Sequence, residues 1–246
     1  MNTDNELNLA IDIAYKAGQF LSLYRTGLNK TIFSEKKDIK LEADIKTEEL
    51  IKSLILKNSD FPILGEESGS SANNLGNTYW VVDPLDGTAN FARNIPICCV
   101  SIALIKNNEP FLGVIYDFNH DDMYSGSKNH QASLNGLEIK VSQIKDKSLA
   151  TIVTGLPAKT DFSDKAMNKM ITDFQSWKKV RMIGSAAMSC AYVASGQFDQ
   201  YQEKGIFLWD IAAGLSIIKA AGGKYTFKPY PEDQFKVDVV ANNNCL

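Results

Sequence analysis

One nine-residue segment constrains this chain more than any other: Trp80-Val81-Val82-Asp83-Pro84-Leu85-Asp86-Gly87-Thr88. The apolar run at 79–82 predicts a strand, and two carboxylates follow directly after it. Gly87-Thr88 then leads into a helix-compatible segment at 89–93. Carboxylates bind hard divalent cations, and the free N–H groups at a helix start bind anions. The order of strand, acidic turn and helix start therefore predicts a site for a divalent metal and a phosphate.

Two further acidic turns accompany this segment. Asp and Gly are common turn formers, so the pattern D-x-x-D-G taken alone is equally typical of an ordinary turn. However, Glu66 and Glu67 follow a short apolar run at 61–64, and Asp210 opens an apolar helical segment at 208–214. Three acidic turns at the ends of elements indicate one shared carboxylate cluster.

These motifs resemble those of the inositol monophosphatase family, which are magnesium-dependent phosphatases related to fructose-1,6-bisphosphatases and 3′-phosphonucleotide phosphatases. The motifs are G-E-E-S at 65–68, W-V-V-D-P-L-D-G-T-A-N-F at 80–91 and W-D-I-A-A-G at 209–214, in family order. The resemblance extends from about residue 7 to about residue 242. Pattern alone supports an α+β or layered α/β class. The resemblance implies a layered α-β-α-β-α sandwich, the sugar phosphatase fold, with the site between its halves.

The chain has 246 residues, of which 44% are hydrophobic and 22% charged, enough for one large domain or two joined halves. A polar stretch at 142–148 predicts a soft boundary between an N-terminal α+β half, 1–145, and a C-terminal α/β half, 146–246. We expect the halves to form one compact catalytic unit. The net charge is −3 and no basic run stands out, which argues against direct nucleic-acid binding.

The cysteines and the N-terminus bear on the compartment. The four cysteines lack the spacing of a zinc site, and three of them lie in apolar stretches, which predicts buried thiols in a reducing environment. The N-terminus is polar and acidic, unlike a secretory signal. Because no apolar run is long enough to span a bilayer, we expect a cytoplasmic protein without a membrane partner.

Hydrophobic periodicity predicts the secondary structure. Helices are expected at 7–21, followed by Gly27, and at 43–57, 165–174, 185–194 and 209–221. Strands are expected at 96–106, 110–117, 122–127, 150–154, 179–183, 224–227 and 236–240. Asn107-Asn108, Asn119-His120 and Asn135-Gly136 are expected to form turns.

The resemblance assigns roles to the acidic residues. It implies that Asp83 bridges two Mg²⁺ ions, a pair that lies about 4 Å apart in such sites. The catalytic residue Glu66 and the Leu85 carbonyl join it on the first ion, whereas Asp86 and Asp210 join it on the second. Glu67 would support a weaker third ion. Mn²⁺ is expected to substitute for Mg²⁺, and Li⁺ and Ca²⁺ are expected to inhibit.

The resemblance also assigns residues around the water and the substrate. Thr88, with Asp44 behind it, resembles the pair that orients and deprotonates the attacking water. From the sequence alone, Asp44 is better explained as a helix cap, and the resemblance reverses that preference. The phosphate would lie on the metals and on the Gly87 and Thr88 N–H groups. The residues expected to face the polyol are Asp86, Ser185, Ala186, Glu203 and Asp210. From pattern alone, Glu203 also fits a solvated charge at a strand end.

Three positions depart from the family pattern. Met182 stands where a serine is common, which puts one polar contact near the site in doubt. The lysine that usually precedes the Asp44 motif is only roughly matched by Lys36 or Lys37. The chain ends at Leu246, where many relatives continue into a further helical segment, and this could alter subunit packing.

The predicted function is Mg²⁺-dependent hydrolysis of a phosphomonoester, most closely inositol 1-phosphate, by an activated water and without a phosphoenzyme. Ala89-Asn90-Phe91 differs from the Lys-Glu-Phe typical of phosphonucleotide phosphatases. Fructose 1,6-bisphosphate stays open as a substrate, with Arg181 and Lys204 as candidates for its second phosphate. A haloacid-dehalogenase-type phosphatase is disfavoured because its D-x-D-G-T spacing differs.

Two further hypotheses concern partners. The resemblance suggests a homodimer. Some bacterial members of the family resemble accessory factors that contact the transcription machinery, so a binding role is the alternative of another class. A catalytically inactive relative is disfavoured because every carboxylate ligand position is retained.

Overall fold

The computed structural model describes residues 3–28, 31–35, 38–156 and 160–246. Its first helix, α1, is longer than predicted, and Gly27 lies in its last turn instead of after it. The remaining predicted helices are present within a few residues of their expected bounds. The helices are α1 Thr3–Leu28, α2 Glu42–Leu56, α3 Thr88–Ala92, α4 Asp164–Phe174, α5 Ala186–Ala194 and α6 Leu208–Ala220.

Short hairpin turns connect most neighbouring strands of the first sheet. Asn107 and Asn108, like Asn135 and Gly136, adopt positive φ, as expected for the tight turns that match strand twist. A hairpin of β1 Thr31–Glu35 and β2 Asp38–Leu41, which the sequence patterns did not indicate, precedes α2. The eight-stranded sheet has the order β10-β9-β8-β7-β6-β5-β3-β4. Its strands are β3 Ile63–Gly65, β4 Gly69–Ser70, β5 Thr78–Asp86, β6 Cys99–Lys106, β7 Glu109–Asp117, β8 Asp122–Ser127, β9 His130–Leu134 and β10 Leu137–Glu138.

The second sheet is mixed, as expected for the second half. Its order is β12-β11-β13-β15-β14, and β11 runs parallel to both β12 and β13. The sequence patterns did not indicate β13, because its polar run Gln200-Tyr201-Gln202-Glu203-Lys204 lacks clear alternation. The strands are β11 Thr151–Thr154, β12 Lys179–Arg181, β13 Gln200–Phe207, β14 Lys224–Tyr230 and β15 Asp233–Asn242.

The layers confirm the expected α-β-α-β-α architecture. Helices α1 and α2 pack on one face of the eight-stranded sheet, and α5 and α6 lie between the two sheets. Gly113 on β7 permits this packing, because a Cβ at this position would lie 2.2 Å from the carbonyl oxygen of Ala213 on α6. Among the described residues, the layer outside the second sheet consists of helix α4, which has no buried side chain and covers a groove of about 830 Å³ on that sheet.

Two sequence expectations can be compared with the fold directly. Cys98, Cys99 and Cys190 are buried free thiols, as predicted, and Cys245 is partly exposed. In the part of the chain that the structure describes, no helix combines the length and apolar character needed to cross a bilayer.

Candidate active site

A bulge at the end of β5 brings the first two carboxylates together. Residues three apart on a regular strand point to opposite faces of the sheet. Between Asp83 and Asp86, however, β5 has one residue more than β6, because Asp83 is opposite Ser101 and Asp86 is opposite Cys99. Such a bulge redirects a side chain at the end of a strand. Asp83 and Asp86 therefore both contribute to the same cluster.

Asp210 completes a group of three carboxylates. Asp83, Asp86 and Asp210 each offer an oxygen, and these atoms all lie within 4.8 Å of one another. Burial is the main cause that raises the pKa of Asp83 and of Asp210 well above the usual range, and the neighbouring carboxylates raise it further. Within the described ranges, no lysine, arginine or histidine forms an ion pair with any of the three.

This donor set fits a hard divalent cation. Buried carboxylates without a basic partner must bind either protons or a metal ion at neutral pH. Oxygen ligands of this kind are those that Mg²⁺ and Ca²⁺ prefer. The prediction that the acidic turns share one cluster is confirmed for Asp83, Asp86 and Asp210. Glu66 borders the cluster through a carboxyl–carboxyl contact with Asp83, and burial raises its pKa well above the usual range.

Two helix starts position Asp44 and Asp210 in the same way. Each is the third residue of its helix, and one of its oxygens accepts a hydrogen bond from the backbone N–H of the residue before the helix. Asp44 Oδ2 lies 2.6 Å from Leu41 N, and Asp210 Oδ2 lies 3.0 Å from Phe207 N. This bond satisfies an otherwise unpaired helix donor and directs the second oxygen away from the helix. Asp44 is thus a capping residue with one oxygen left for another role.

The second oxygen of Asp44 meets Thr88. Thr88 Oγ1 lies 3.0 Å from Asp44 Oδ1 and 3.0 Å from the Leu85 carbonyl oxygen. Burial raises the pKa of Asp44 to about 7, although its bonds to Leu41 and Thr88 lower it. Gly87, just before Thr88, has φ 88°, and a Cβ there would lie 2.8 Å from the Ile97 carbonyl oxygen. The turn between Asp86 and Thr88 therefore requires glycine.

Asp86 is held by the start of α5. The hydroxyl of Ser185 donates a hydrogen bond to Asp86 Oδ2, and the backbone N–H of Ala187 donates to the same oxygen at 2.8 Å. The Ala186 N–H donates to Asp86 Oδ1 at 3.3 Å. Burial raises the pKa of Asp86, while these bonds lower it. Ser185 and Ala186, which the sequence placed against the substrate, direct these donors to a carboxylate of the cluster.

Glu48 is a site residue that sequence reasoning missed. Its side chain is 2% exposed, and its oxygens accept the backbone N–H groups of Glu67 at 2.8 Å and Ser68 at 3.0 Å. A Cβ at Gly65 would lie 2.5 Å from the Glu48 carboxylate, so the turn is packed directly on it. Glu48 thereby shapes the turn that carries Glu66. The available signal was its spacing, since residues four apart share a helix face and Asp44 is four residues earlier.

Glu203 lies at the edge of a small cavity beside the cluster. The cavity has a volume of about 210 Å³ and is lined by Asp86, Gly155, Ser185, Ala186, Glu203 and Asp210, among others. Burial raises the pKa of Glu203 to about 7, although the bond from Tyr201 lowers it. The alternative of a solvated strand-end charge does not fit this half-buried position within β13.

The other predicted positions either do not line the small cavity or lie outside the described chain. Met182 is 49% exposed. Arg181 donates a hydrogen bond to the carbonyl of Val180, and Lys204 lines the groove beneath α4 instead of the small cavity. Lys36 and Lys37 lie outside the described residues.

Comparison with known proteins decides the family. The sequence model of the inositol monophosphatase family matches residues 2–243. The chain belongs to the inositol monophosphatase family. It is 36% identical to a fructose-1,6-bisphosphatase/inositol-1-monophosphatase from Aquifex aeolicus, over 100% of this chain and 93% of the relative. It is 34% identical to the Nus factor SuhB from Xylella fastidiosa, over 88% of this chain and 80% of the relative.

Solved structures support the same assignment. The structure of inositol monophosphatase from Anabaena (Nostoc) sp. PCC 7120 superposes with a TM-score of 0.86 at 33% identity, covering 100% of this chain and 93% of that chain. The family consists of metal-dependent phosphatases, and the acidic cluster described above is consistent with that chemistry. Membership therefore supports a phosphatase, and the predicted family and fold are confirmed.

Proposed function

We propose that the protein is a Mg²⁺-dependent phosphomonoester hydrolase. Its substrate class is small polyol phosphates, and its preferred substrate is inositol 1-phosphate. One observation carries this proposal. Three carboxylates from β5 and α6 converge within 4.8 Å without a basic partner in the described chain, in a member of a phosphatase family.

The metal would be held by the residues at the ends of β3, β5 and the start of α6. Asp83 would bridge two ions, with Glu66 and the Leu85 carbonyl on one and Asp86 and Asp210 on the other. Glu67 would support a third. When bound, the ions would neutralise charge on the phosphate and lower the pKa of the attacking water. Mn²⁺ would substitute, and Li⁺ and Ca²⁺ would inhibit.

Thr88 and Asp44 would handle the proton of the attacking water. The Thr88 hydroxyl donates to Asp44 Oδ1 in the structure, which leaves the Thr88 oxygen free to accept a hydrogen bond from water. A proton that leaves the water toward Thr88 can then pass to Asp44, which acts as the general base. The N–H groups of Gly87 and Thr88 would contact the phosphate.

The small cavity favours a polyol as the leaving group. Ionised carboxylates accept hydrogen bonds but do not donate them, so Asp86, Glu203 and Asp210 suit hydroxyl groups. The described residues that line the cavity include no lysine or arginine, which a second phosphate would require. The cavity therefore favours an inositol phosphate over a sugar bisphosphate. The Aquifex relative, whose name includes both activities, keeps fructose 1,6-bisphosphate as the alternative.

A substrate panel tests the proposal. Phosphate release is measured with Mg²⁺ from inositol 1-phosphate, fructose 1,6-bisphosphate, 3′-phosphoadenosine 5′-phosphate and histidinol phosphate, with Asp83→Asn as the inactive control. Preference for inositol 1-phosphate supports the proposal, and preference for another substrate reassigns the branch. Failure on all four contradicts the proposed substrate class.

An accessory role in transcription is the second candidate function. It is favoured by relatives from Xylella fastidiosa and Pasteurella multocida that carry the name Nus factor SuhB. Asp83→Asn expressed in cells that lack the wild-type protein separates the two roles. If the variant without hydrolysis restores growth, the binding role is sufficient. If it does not, the phosphatase activity is required.

The proposal also includes a homodimer in the cytoplasm. The dimer rests on the resemblance to the family. Light scattering of the purified protein checks the mass, and a monomer at micromolar concentration contradicts the dimer.

A further inference from the structure

Glu203 is held from two sides by residues to which nothing above gives a role. On β13, Tyr201 and Glu203 are two residues apart and therefore point to the same face of the sheet. The hydroxyl of Tyr201 donates a hydrogen bond to Glu203 Oε2 at 2.9 Å. The Tyr201 ring is fully buried in the core between the sheets, so its hydroxyl is a fixed donor.

Gly155 holds the carboxylate on the other side. A Cβ at this position would lie 2.5 Å from Glu203 Oε2 and 2.7 Å from Oε1, so both oxygens pack against the bare backbone. Gly155 follows directly after β11, which pairs with β13. Any larger residue would push the carboxylate out of this position.

The Glu203 side chain lines the small cavity and also borders the groove beneath α4. Glu203, Asp86 and Asp210 share this cavity of about 210 Å³. Within the described chain, Tyr201 is the only donor that reaches the Glu203 carboxylate. An ionised carboxylate has about four acceptor sites, so the bond from Tyr201 leaves acceptor capacity for a ligand in the cavity.

We propose that Tyr201 and Gly155 are positioning residues that hold the Glu203 carboxylate as the hydrogen-bond acceptor for a hydroxyl group of the substrate alcohol. This inference rests on the proposed hydrolysis of a polyol phosphate. A free glutamate side chain loses rotamer entropy when it binds a ligand. The fixed donor and the glycine remove that cost in advance, which is preorganisation of the acceptor.

The test compares two substrates that differ in their leaving groups. Inositol 1-phosphate has hydroxyl groups beside the ester, whereas para-nitrophenyl phosphate has none. Tyr201→Phe is expected to lower the ratio of kcat/KM for the first substrate to that for the second by about tenfold, the effect of one hydrogen bond to a charged group. The loss should fall on KM for inositol 1-phosphate.

The double variant Tyr201→Phe/Glu203→Gln tests whether Tyr201 acts through Glu203. In the Glu203→Gln background, the change at Tyr201 should have no further effect on the ratio. Tyr124→Phe is the matched control, because Tyr124 is equally buried on β8 and does not line the cavity. It should leave the ratio unchanged.

If Tyr201→Phe does not fold, Gly155→Ala carries the test. Its φ lies outside the left-handed region, so the added methyl group perturbs chiefly the carboxylate of Glu203. The same selective loss is expected. An equal loss on both substrates, or an additive effect in the double variant, overturns the inference. A wild-type protein that hydrolyses no hydroxylated monoester contradicts the proposed function itself, and that result is visible before any variant is made.

Discussion

Ser185 donates a hydrogen bond to the carboxylate of Asp86 across 99 positions of sequence. The same serine caps α5, since its Oγ accepts the N–H of Met188 at 3.2 Å. One side chain thus ties the start of α5 to the carboxylate cluster at the end of β5. The acidic end of β5 and the donors at the start of α5 satisfy each other, which explains why two distant segments meet at this point.

Ser185→Ala is expected to lower both stability and metal affinity. Loss of the helix cap costs about 1 kcal/mol, and loss of the bond that orients Asp86 should weaken Mg²⁺ binding by about 10-fold. Thermal unfolding and calorimetric Mg²⁺ titration measure the two effects. Ser163→Ala is the matched control, because Ser163 caps α4 through Ala166 at an exposed position outside the site. Equal Mg²⁺ affinity in both variants would contradict the role of Ser185.

Asp83→Asn and Asp210→Asn should each lower kcat/KM by more than about 100-fold, since even residues that only orient metal ligands cost 10- to 100-fold. The fold should remain, because each substitution removes one charge from a crowded carboxylate cluster. We therefore expect the unfolding temperature in EDTA to be no lower than that of the wild type. Asp12→Asn, in an exposed ion pair with Lys16, is the control. Near-normal activity of both variants would remove the two-metal assignment.

Glu48→Gln is expected to act through the turn that carries Glu66. In the wild type, the two carboxylate oxygens of Glu48 accept hydrogen bonds from two backbone N–H groups. In the variant, the NH₂ group of glutamine replaces one of these oxygens and cannot accept a hydrogen bond, so one bond is lost at a buried position. The free energy of unfolding should fall by about 1–3 kcal/mol, and Mg²⁺ affinity should fall with it. Its exposed neighbour, Glu49→Gln, should change stability by less than about 0.5 kcal/mol. Unchanged Mg²⁺ affinity in a folded Glu48→Gln protein would show that the turn does not depend on this side chain.

The raised pKa of Glu203 predicts how the stability of the metal-free protein depends on pH. Its pKa in the folded protein is raised from 4.5 to about 7, so the folded state prefers the protonated form. Its contribution to stability is therefore present below pH 4.5 and is lost as the pH rises through about 7. In EDTA, the wild type should lose stability relative to Glu203→Gln across this window. Denaturant unfolding at several pH values measures it, and parallel profiles of the two proteins would refute it.

Li⁺ is expected to inhibit hydrolysis at millimolar concentration. As a small hard cation, it would compete for the position formed by Asp83, Asp86 and Asp210. Initial rates are measured against Li⁺ at several Mg²⁺ concentrations, and the inhibition should change with Mg²⁺ because both ions share the site. Insensitivity to Li⁺ would leave the phosphatase proposal in place but weaken the assignment to the inositol phosphate branch.

The secondary structure was predictable where the pattern was strong. The amphipathic spacing of α1 and the asparagine turns between the strands of the first sheet are local signals, and the structure confirms them. The strand β13 escaped prediction because its residues alternate poorly, and that irregularity coincides with the half-buried Glu203 beside the cavity. Residue types along the wall of a polar cavity are determined by the ligand that they contact, and they therefore need not show the alternation of apolar and polar residues typical of a strand.

The sequence motifs determined the resemblance to the family, and that resemblance implied the layered architecture. The acidic turns at the ends of predicted elements indicated that Asp83, Asp86 and Asp210 would cluster. Only the tertiary structure decided what holds those carboxylates. The bond from Ser185 to Asp86 and the bond from the Glu67 N–H to Glu48 each join two separate elements. The bond from Tyr201 to Glu203 joins two neighbours on β13, a strand that the sequence patterns did not indicate. The physical reason is that burying a carboxylate costs free energy unless hydrogen-bond donors surround it. Which donors come within reach depends on how the layers pack against each other.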